Sequence, residues 1–517
     1  MAKKKEKELS YLQSPLPEGQ KYYKTTKVSF SGLNKRNTLD TGVLSYEKNI
    51  STVETPYLTP AQRPYLSLSG IQVISMFGFD DFLVIVHKKD GKIYISYADD
   101  DGIYATGVLV EDTTDEDTGE KVQRSIVQFN VYESPYEKIA DVMGNYNRKL
   151  LIFPDKMSLD FNVERNYTTP TALSVDPLGK GIPNIKYATV HLSRIFGLDD
   201  GRVYASGFND YANWNLDTAE EYKESNAWCS PAQANVKADS TFTGITTFQN
   251  HVVCFKRNFM HEIYNTKNPF RIQDIYAEGA IDNRTIQDVD GRLVFVSDDY
   301  VKVYTGSNPQ IISYELDIPK YTHAISGNDG RNYYLYVESG ENKHFFVYDT
   351  LIGEWSERSL LVPNKNDESG TFNEVSEIKA FASNKNGMYM ATEGAIYKLN
   401  SGDYTDVPWA FETDIVTNNT VDIKHIKKIQ MLCDFDKADV DVYILYGNEE
   451  FKDSDDDDEE QSYHKVYSKR NLTGRATIRV KPRMTAHYGF RLRFEGKGYV
   501  KLYNLEISAQ QGGELFV

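Results

Sequence analysis

Short runs of apolar or alternating residues, each of strand length, follow one another from about residue 70 to about residue 400. Gly, Asn and Asp separate the runs, and these residues are typical of tight turns. The runs are rich in Tyr, Phe, Val and Ile, whose side chains suit a pleated, half-buried surface. Long runs with the helical period of about 3.6 residues are scarce. The pattern therefore predicts an all-β protein.

The runs recur as a unit in which an apolar strand leads through a polar turn into an aromatic-rich strand. The first strands of seven such units are Phe82 to Val86, Lys149 to Phe153, Arg194 to Leu198, His251 to Phe255, Leu293 to Val296, Tyr333 to Val337 and Gly387 to Ala391. Their spacing of roughly 45 residues is that of four-stranded propeller blades. Asp-Gly hairpins occur in any large β protein, so the spacing carries the argument. We predict a β-propeller of about seven blades, with six to eight possible, over residues 70–405.

The pattern changes near Val407-Pro408-Trp409, where longer alternating runs begin. The predicted strands are Trp409 to Val416, Ile426 to Cys433, Ala438 to Tyr446, Ala476 to Val480, Gly489 to Phe494 and Tyr499 to Ile507. They indicate an antiparallel β-sandwich as a separate domain over residues 406–517. Residues 1–69 carry five prolines and little periodicity. We expect an extended N-terminal segment there, which crosses the surface or supplies a closing strand to the ring.

The net charge and the hydropathy of the chain bear on whether it binds nucleic acid or a membrane. The 517-residue chain has a formal net charge of -17, which repels a phosphate backbone, so we expect no sequence-specific binding of nucleic acid. The exception is a lysine-rich start, which is interleaved with Glu6 and Glu8 and is expected to be a solvated tail: Lys3, Lys4, Lys5 and Lys7. No apolar run approaches the ~20 residues of a membrane span, and no export signal is expected. The chain is thus expected to fold in a cytoplasm without membrane contact.

No catalytic, cofactor-binding or metal-binding motif stands out, and we predict none of these sites. The nucleophile elbow, the Walker loop, the zinc-binding H-E-x-x-H and the dinucleotide G-x-G-x-x-G are missing from the sequence. The three cysteines lie far apart. His251 and His261 fall in one predicted blade without a third ligand, so satisfied or exposed histidines are expected rather than a metal pair. The acidic run Asp453 to Glu460 lacks the spaced ligands of a calcium loop and is interpreted as a solvated loop.

Two other functions remain open for a propeller. A propeller glycosidase needs two carboxylates at a set separation. The turn residues Asp199, Asp200, Asp298 and Asp299 are already explained by hairpin geometry, and the S-x-D-x-G-x-x-W box of sialidase propellers is missing. A glycan-binding protein would stack sugars on exposed aromatic rings. The candidate for this contact is Trp214, whose alternative role is a packing anchor between blades.

Three stretches carry more specific motifs. The first is Phe30-Ser31-Gly32-Leu33-Asn34, continued by Lys48 to Ser51 and Pro56 to Pro60. The second is Arg194 to Gly197 with Arg202 to Ser206 and Asp210 to Trp214. The third is Val480 to Arg483 with Phe490 to Phe494 and Gly496 to Leu502. Together they resemble propeller-containing virion proteins of tailed bacteriophages, a family of stabilisation proteins similar in architecture to tail nozzle proteins. The chain departs from that pattern at Ser193, where Asn is usual, and at Tyr211-Ala212, which replaces Pro-x.

The resemblance implies a non-catalytic structural component of the phage tail or neck, assembled in the host cytoplasm at the head-tail connection. Its partners would be portal, adaptor, tail or nozzle subunits, and it would form a homo-oligomeric ring around the DNA path used in ejection. An acidic lumen would let DNA slide past without sticking. We expect interface positions at Phe30, Leu33, Asn34 and Tyr57, and in the acidic turn Glu111 to Glu120.

Overall fold

The computed structural model describes residues 22–27, 30–36, 43–54, 56–111, 128–133, 148–161, 163–179, 181–216, 226–230, 241–265, 267–364, 372–402, 404, 407–418, 422–447, 463–482 and 487–511. Apart from two 3-10 turns, Asn283–Thr285 and Tyr314–Leu316, the regular elements in these ranges are β-strands. None of the described helical turns is long and apolar enough to cross a membrane. The N-terminal strands are β1 (Tyr22–Lys27), β2 (Leu44–Lys48), β3 (Ile50–Ser51), β4 (Thr59–Pro60) and β5 (Tyr65–Ser69).

Seven antiparallel sheets form the blades of a propeller. Blade 1 contains β6 (Gln72–Phe79), β7 (Phe82–Lys89), β8 (Lys92–Asp99) and β9 (Gly102–Val110). Blade 2 contains β10 (Gln128–Glu133), β11 (Arg148–Phe153), β12 (Met157–Asp160) and β14 (Asp176–Pro177), while β13 (Thr171–Ala172) pairs in parallel with β9. Blade 3 contains β15 (Tyr187–His191), β16 (Arg194–Leu198), β17 (Val203–Ala205) and β18 (Trp228–Cys229).

The second half of the ring repeats this order. Blade 4 contains β19 (Phe242–Phe248), β20 (His251–Lys256), β21 (Phe259–Tyr264) and β22 (Arg271–Ile275). Blade 5 contains β23 (Gln287–Val289), β24 (Arg292–Val296), β25 (Val301–Tyr304) and β26 (Gln310–Ile311). Blade 6 contains β27 (His323–Asn328), β28 (Asn332–Ser339), β29 (Asn342–Asp349) and β30 (Glu354–Arg358). A hairpin of β31 (Leu361–Pro363) and β32 (Phe372–Glu374) precedes blade 7, which contains β33 (Ile378–Asn384), β34 (Gly387–Thr392), β35 (Ala395–Lys398) and β5.

The apolar core of the ring lies between blades rather than inside them. A cluster of buried side chains separates each pair of neighbouring blades, including the pair formed by blade 7 and blade 1. A single blade could not bury both of its faces alone, whereas circular stacking covers them all. The prediction of an all-β propeller of about seven blades is therefore confirmed.

Local chemistry explains where strands turn and where the ring closes. Asp90 and Gly91, between β7 and β8, both have positive φ (49° and 75°), the geometry of a hairpin turn that suits Asp-Gly. The closing contact is made by β5, in which Leu68 pairs with Ile396 of β35. Of the two roles expected for the N-terminal segment, Tyr65–Ser69 takes that of the closing strand. The propeller thus begins before residue 70.

The C-terminal domain is one six-stranded sheet that combines strands from both ends of the chain. Its strands are β36 (Pro408–Thr413), β37 (Lys424–Tyr446), β38 (His464–Val480) and β39 (Phe490–Gln511), joined by β1 and β2. The predicted strands over 426–433 and 438–446 are one strand, and so are those over 489–494 and 499–507. The first two N-terminal strands therefore belong to this domain rather than to a separate segment.

The sheet doubles over at bulges in its long strands. Lys437 in β37, Gly474 in β38 and Gly498 in β39 have φ values of 48°, 72° and 80°, and the register between the strands shifts at this level. Buried side chains from both halves of the long strands join one core. A single bent sheet thus forms the two layers of the sandwich, which is a common use of β-bulges.

Candidate functional site

A segment near the N-terminus lies between the propeller and the sandwich. We call residues 30–36, 43–54 and 56–64 the strap. Phe30 belongs to the sandwich core, whereas Leu33 belongs to the core between blades 5 and 6, and they are 3% and 2% exposed. Strand β2 of the strap pairs with β36, and the Leu58 amide donates to the Leu502 carbonyl of β39. The strap therefore ties the two domains together.

Gly32 allows the strap to approach blade 6 closely. The Leu33 amide donates to the Trp355 carbonyl at 2.9 Å. A Cβ atom at Gly32 would lie 2.6 Å from that carbonyl oxygen and 2.8 Å from the Glu354 Cβ. Only glycine avoids this clash, which accounts for the glycine of the Phe30 to Asn34 motif in physical terms.

Asn49 is the most connected residue of the strap. Its amide donates to the Glu357 carbonyl at 2.9 Å, and its side-chain oxygen accepts from the Ser359 amide at 2.8 Å. Its side-chain nitrogen donates to the Ser359 hydroxyl and to the Pro408 carbonyl at 2.7 and 2.8 Å. Its φ of 54° lies in the left-handed region, which Asn tolerates better than most residues. One buried side chain thus joins the strap, blade 6 and the start of the sandwich.

Below Asn49 lies a buried ionic cluster centred on Glu357. This carboxylate is 2% exposed and receives the Lys35 and Lys48 ammonium groups of the strap, each at 2.9 Å. The Nδ1 atom of His344 lies 3.0 Å from it. Burial raises the pKa of Glu357, but the hydrogen bond to His344 and the two lysine charges outweigh burial and lower the pKa to about 2. Glu357 is therefore ionised at neutral pH and serves as the counter-charge that holds the strap.

A second carboxyl of the strap behaves in the opposite way. Glu47 is fully buried, and neither of its carboxyl oxygens has a hydrogen-bond partner. Burial holds the pKa of this carboxyl well above its ordinary value, although the nearby Arg358 opposes the effect. An unpaired buried carboxyl is costly when ionised. The junction thus contains one carboxyl held ionised and one pushed towards its neutral form.

The four predicted interface residues all lie in the strap. Phe30 and Leu33 are committed to intramolecular cores, so their side chains are not available to a neighbouring subunit. The Asn34 amide donates to the Leu44 carbonyl within the strap, and Tyr57 packs edge-on against Tyr503 of β39 at 4.9 Å. Asn34 and Tyr57 remain partly exposed. The rest of the predicted interface, residues 112–120, lies outside the described residues.

Trp214 does not present a sugar platform. Its side chain is 5% exposed, and its indole nitrogen donates to the Tyr211 carbonyl at 2.9 Å. It packs among Phe153 of blade 2 and Ile195 of blade 3 in the core between these blades. This corrects the prediction of a glycan contact, because stacking needs an exposed ring face.

A cavity lies beside the first strands of blades 1, 6 and 7. It has a volume of about 520 Å³, and its charged lining comprises Lys88, Arg284, His323, Glu377, Lys379 and Glu393. Arg284 forms an ion pair with Asp282 at 2.8 Å, and Lys379 with Glu377 at 2.6 Å. Burial and the charge of Arg284 lower the pKa of His323. Three of these six side chains, Arg284, Glu377 and Lys379, are thus held in ion pairs.

The other candidate catalytic or metal-binding residues have partners within the fold. His251 lies 3.5 Å from Glu262, whereas His261 lies 3.0 Å from Asp274, so the two histidines do not converge. Among the described residues, no group of three or more His, Cys, Asp or Glu side chains is placed to hold a metal ion. Asp199 accepts the Gly201 amide at 2.7 Å within its turn. The acidic run Asp453 to Glu460 and the lysines of residues 3–7 lie outside the described residues.

No family model matches the sequence. No curated protein matches it either. Among solved structures, the extracellular domain of a one-component system from B. thetaiotaomicron aligns at 11% identity over 85% of this chain and 59% of that chain, with a TM-score of 0.38. This protein thus spans less than two thirds of that chain.

Two WD40 domains are also similar. The domain of Neurospora crassa Pan2 aligns at 10% identity over 65% of this chain and 90% of that chain, with a TM-score of 0.32. The domain of Toxoplasma gondii coronin aligns at 10% identity over 69% and 87%, with a TM-score of 0.37. At such identities a likeness concerns the fold alone. The propeller itself follows from the seven sheets and the cores between them.

Proposed function

We propose that this protein is a structural component of a tailed phage particle, placed at the tail or neck, where it docks to neighbouring subunits around the DNA path. The observation that carries the proposal is the role of the residues that resemble the virion family. Phe30, Gly32, Leu33 and Asn49 form the joint between propeller and sandwich. The resemblance therefore concerns residues that determine how the two domains are assembled.

The rigidity of that joint supports a mechanical role. Seven apolar cores hold the blades of the ring together, and the strap fixes the sandwich to the ring. The two domains would therefore behave as one stiff body. Stiffness reduces the ordering that a surface must undergo on docking. A homo-oligomeric ring and contacts with portal, adaptor or nozzle subunits are part of the proposal.

The formal charge of -17 is the second support. A surface of this sign repels a passing phosphate backbone, so a genome could move through the assembly without sequence-specific contacts. Host-glycan binding is the weaker candidate, because Trp214 is used between blades 2 and 3. A propeller glycosidase is weaker still, since Glu377, a carboxylate of the 520 Å³ cavity, is already paired with Lys379.

Disruption of the gene in the phage or prophage that encodes it tests the proposal. A structural role predicts that infectious particles are lost and that incomplete particles accumulate, with rescue by the wild-type protein supplied in trans. A glycan-binding role predicts complete particles that adsorb poorly to cells. Release of reducing sugars from host envelope polysaccharide by the purified protein would instead reveal a glycosidase and contradict the proposal.

A further inference from the structure

One edge of the sandwich is a long strand with one sheet neighbour. In the described part of the sheet, β38 (His464–Val480) is the terminal strand and pairs with β37 alone. In that part no other main chain bonds to the main chain of the strand, although the Asn471 amide donates to the Asp439 carboxylate at 2.9 Å. Alternate residues of this 17-residue strand thus direct main-chain donors and acceptors to the side away from β37. Such an edge is a template for another extended polypeptide.

The charge of this edge is opposite to that of the protein. Strand β38 contains five Lys and Arg residues and no Asp or Glu, in a chain of net charge -17. Charges placed on an edge merely to prevent aggregation can have either sign. A run of a single sign against the sign of the whole chain instead suits a partner of the opposite charge.

Neighbouring acids neutralise only part of this edge. Three of its five cations are paired: Arg470 and Lys465 with Asp441 at 2.8 and 3.4 Å, and Arg475 with Asp434 at 2.7 Å. Lys469 and Arg479 are exposed and make no ion pair within the described residues. Lys481, just past the strand, is likewise exposed. Cations spaced along the strand therefore remain available to a partner.

We propose that β38 binds an acidic, extended segment of a partner protein, which adds to the sandwich as a further strand. Two independent features select this chemistry. The open main-chain edge requires a polypeptide, because nucleic acid cannot continue the ladder of amide-to-carbonyl hydrogen bonds. The cations require negative side chains on that polypeptide.

The test uses the full-length protein and a fluorescent peptide of alternating Glu and Val, with binding followed by anisotropy. The expected result is salt-sensitive binding of this peptide and none of the matching Lys-Val peptide. N-methylation of alternate peptide amides should weaken binding at least about tenfold, because several main-chain hydrogen bonds of about 1 kcal/mol each are lost. Protection of residues 464–480 from hydrogen exchange should rise on binding.

A matched pair of variants locates the site. The double variant Lys469→Glu/Arg479→Glu should weaken binding at least about tenfold, since two attractions become repulsions. The control Lys89→Glu/Lys320→Glu changes the net charge equally at exposed positions of the propeller and should leave binding unchanged. Thermal unfolding of both variants checks that they are folded. Absence of peptide binding, insensitivity to N-methylation, or tighter binding of an oligothymidylate than of the Glu-Val peptide would each overturn the proposal.

Discussion

Replacement of Glu357 by Gln removes the central charge of the joint between propeller and sandwich while it preserves the size of the side chain. The carboxylate faces Lys35 and Lys48 of the strap and is 2% exposed. With a neutral amide in its place, the half-buried ammonium groups of Lys35 and Lys48 would repel each other without a counter-charge between them. We therefore expect Glu357→Gln to loosen the strap rather than to unfold the blades.

The pKa of Glu357 gives the size of the effect. Its pKa of about 2, against an ordinary value of 4.5, corresponds to about 3 kcal/mol in favour of the ionised form, since each tenfold change in proton affinity is about 1.4 kcal/mol. Removal of one partner from a buried ion pair costs about 3–5 kcal/mol, which agrees in magnitude. An energy of about 3 kcal/mol changes the opening equilibrium of the strap roughly a hundredfold.

Hydrogen exchange followed by mass spectrometry measures this opening locally. The Asn49 amide donates to the main-chain carbonyl of Glu357, and the Ala61 amide donates to that of Asn49. Peptides that cover Asn49 and Ala61 therefore report the closed strap. Exchange in them should accelerate roughly a hundredfold in Glu357→Gln if opening limits exchange.

The control is Glu111→Gln, which breaks an exposed pair with Lys92 at 2.6 Å. That change should leave both the stability of the protein and hydrogen exchange in the strap close to wild type, because exposed ion pairs contribute little. Strap exchange within twofold of wild type in Glu357→Gln would refute the reasoning, because the charge would then not hold the joint.

Three further predictions concern the same architecture. Gly32→Ala should lower the free energy of unfolding by about 1–3 kcal/mol, because the added methyl overpacks against blade 6, and should speed hydrogen exchange in the strap. The control Gly394→Ala, whose Cβ would have no atom within 4 Å, should leave the free energy of unfolding in urea nearly unchanged. Trp214→Ala should lower the free energy of unfolding by about 3–5 kcal/mol, whereas a sugar-stacking residue would leave it unchanged. The pKa of Glu357 is lowered in the folded state, so its stabilisation is present above about pH 4.5 and lost as the pH falls towards 2. After correction for the intrinsic rate, hydrogen exchange of the strap amides should therefore speed up in wild type as the pH falls over this range. The Glu357→Gln variant should show no such increase.

The sequence predicts the propeller because every blade repeats the same pattern of strands and turns. An apolar strand, a polar turn and a second, aromatic-rich strand recur from blade to blade, because every blade must cover its neighbours. The sandwich was read less accurately, since Lys437 and Gly498 interrupt the alternation of β37 and β39 and look like strand ends. They are bulges within continuous strands, and whether a bulge or a turn forms depends on the neighbouring strands.

The contacts at the joint between the domains could not be predicted from the sequence. Lys48 and Glu357 are 309 positions apart, and no periodicity relates them. The motif around Asn49 was visible, but its partners in blade 6 were not. Trp214 lies among polar neighbours, which suggests exposure. Asp210 accepts the Ala212 and Asn213 amides in a local turn, and the indole nitrogen of Trp214 bonds back to this loop while its ring packs between two blades.

Cryo-electron microscopy of particles purified from cells that produce this protein from its native genome tests the central claim most directly. The account predicts density for a seven-bladed ring with an attached sandwich, repeated around the axis of the tail or neck and in contact with neighbouring subunits. Particles that are complete and infectious but lack this density would contradict a structural role in the virion.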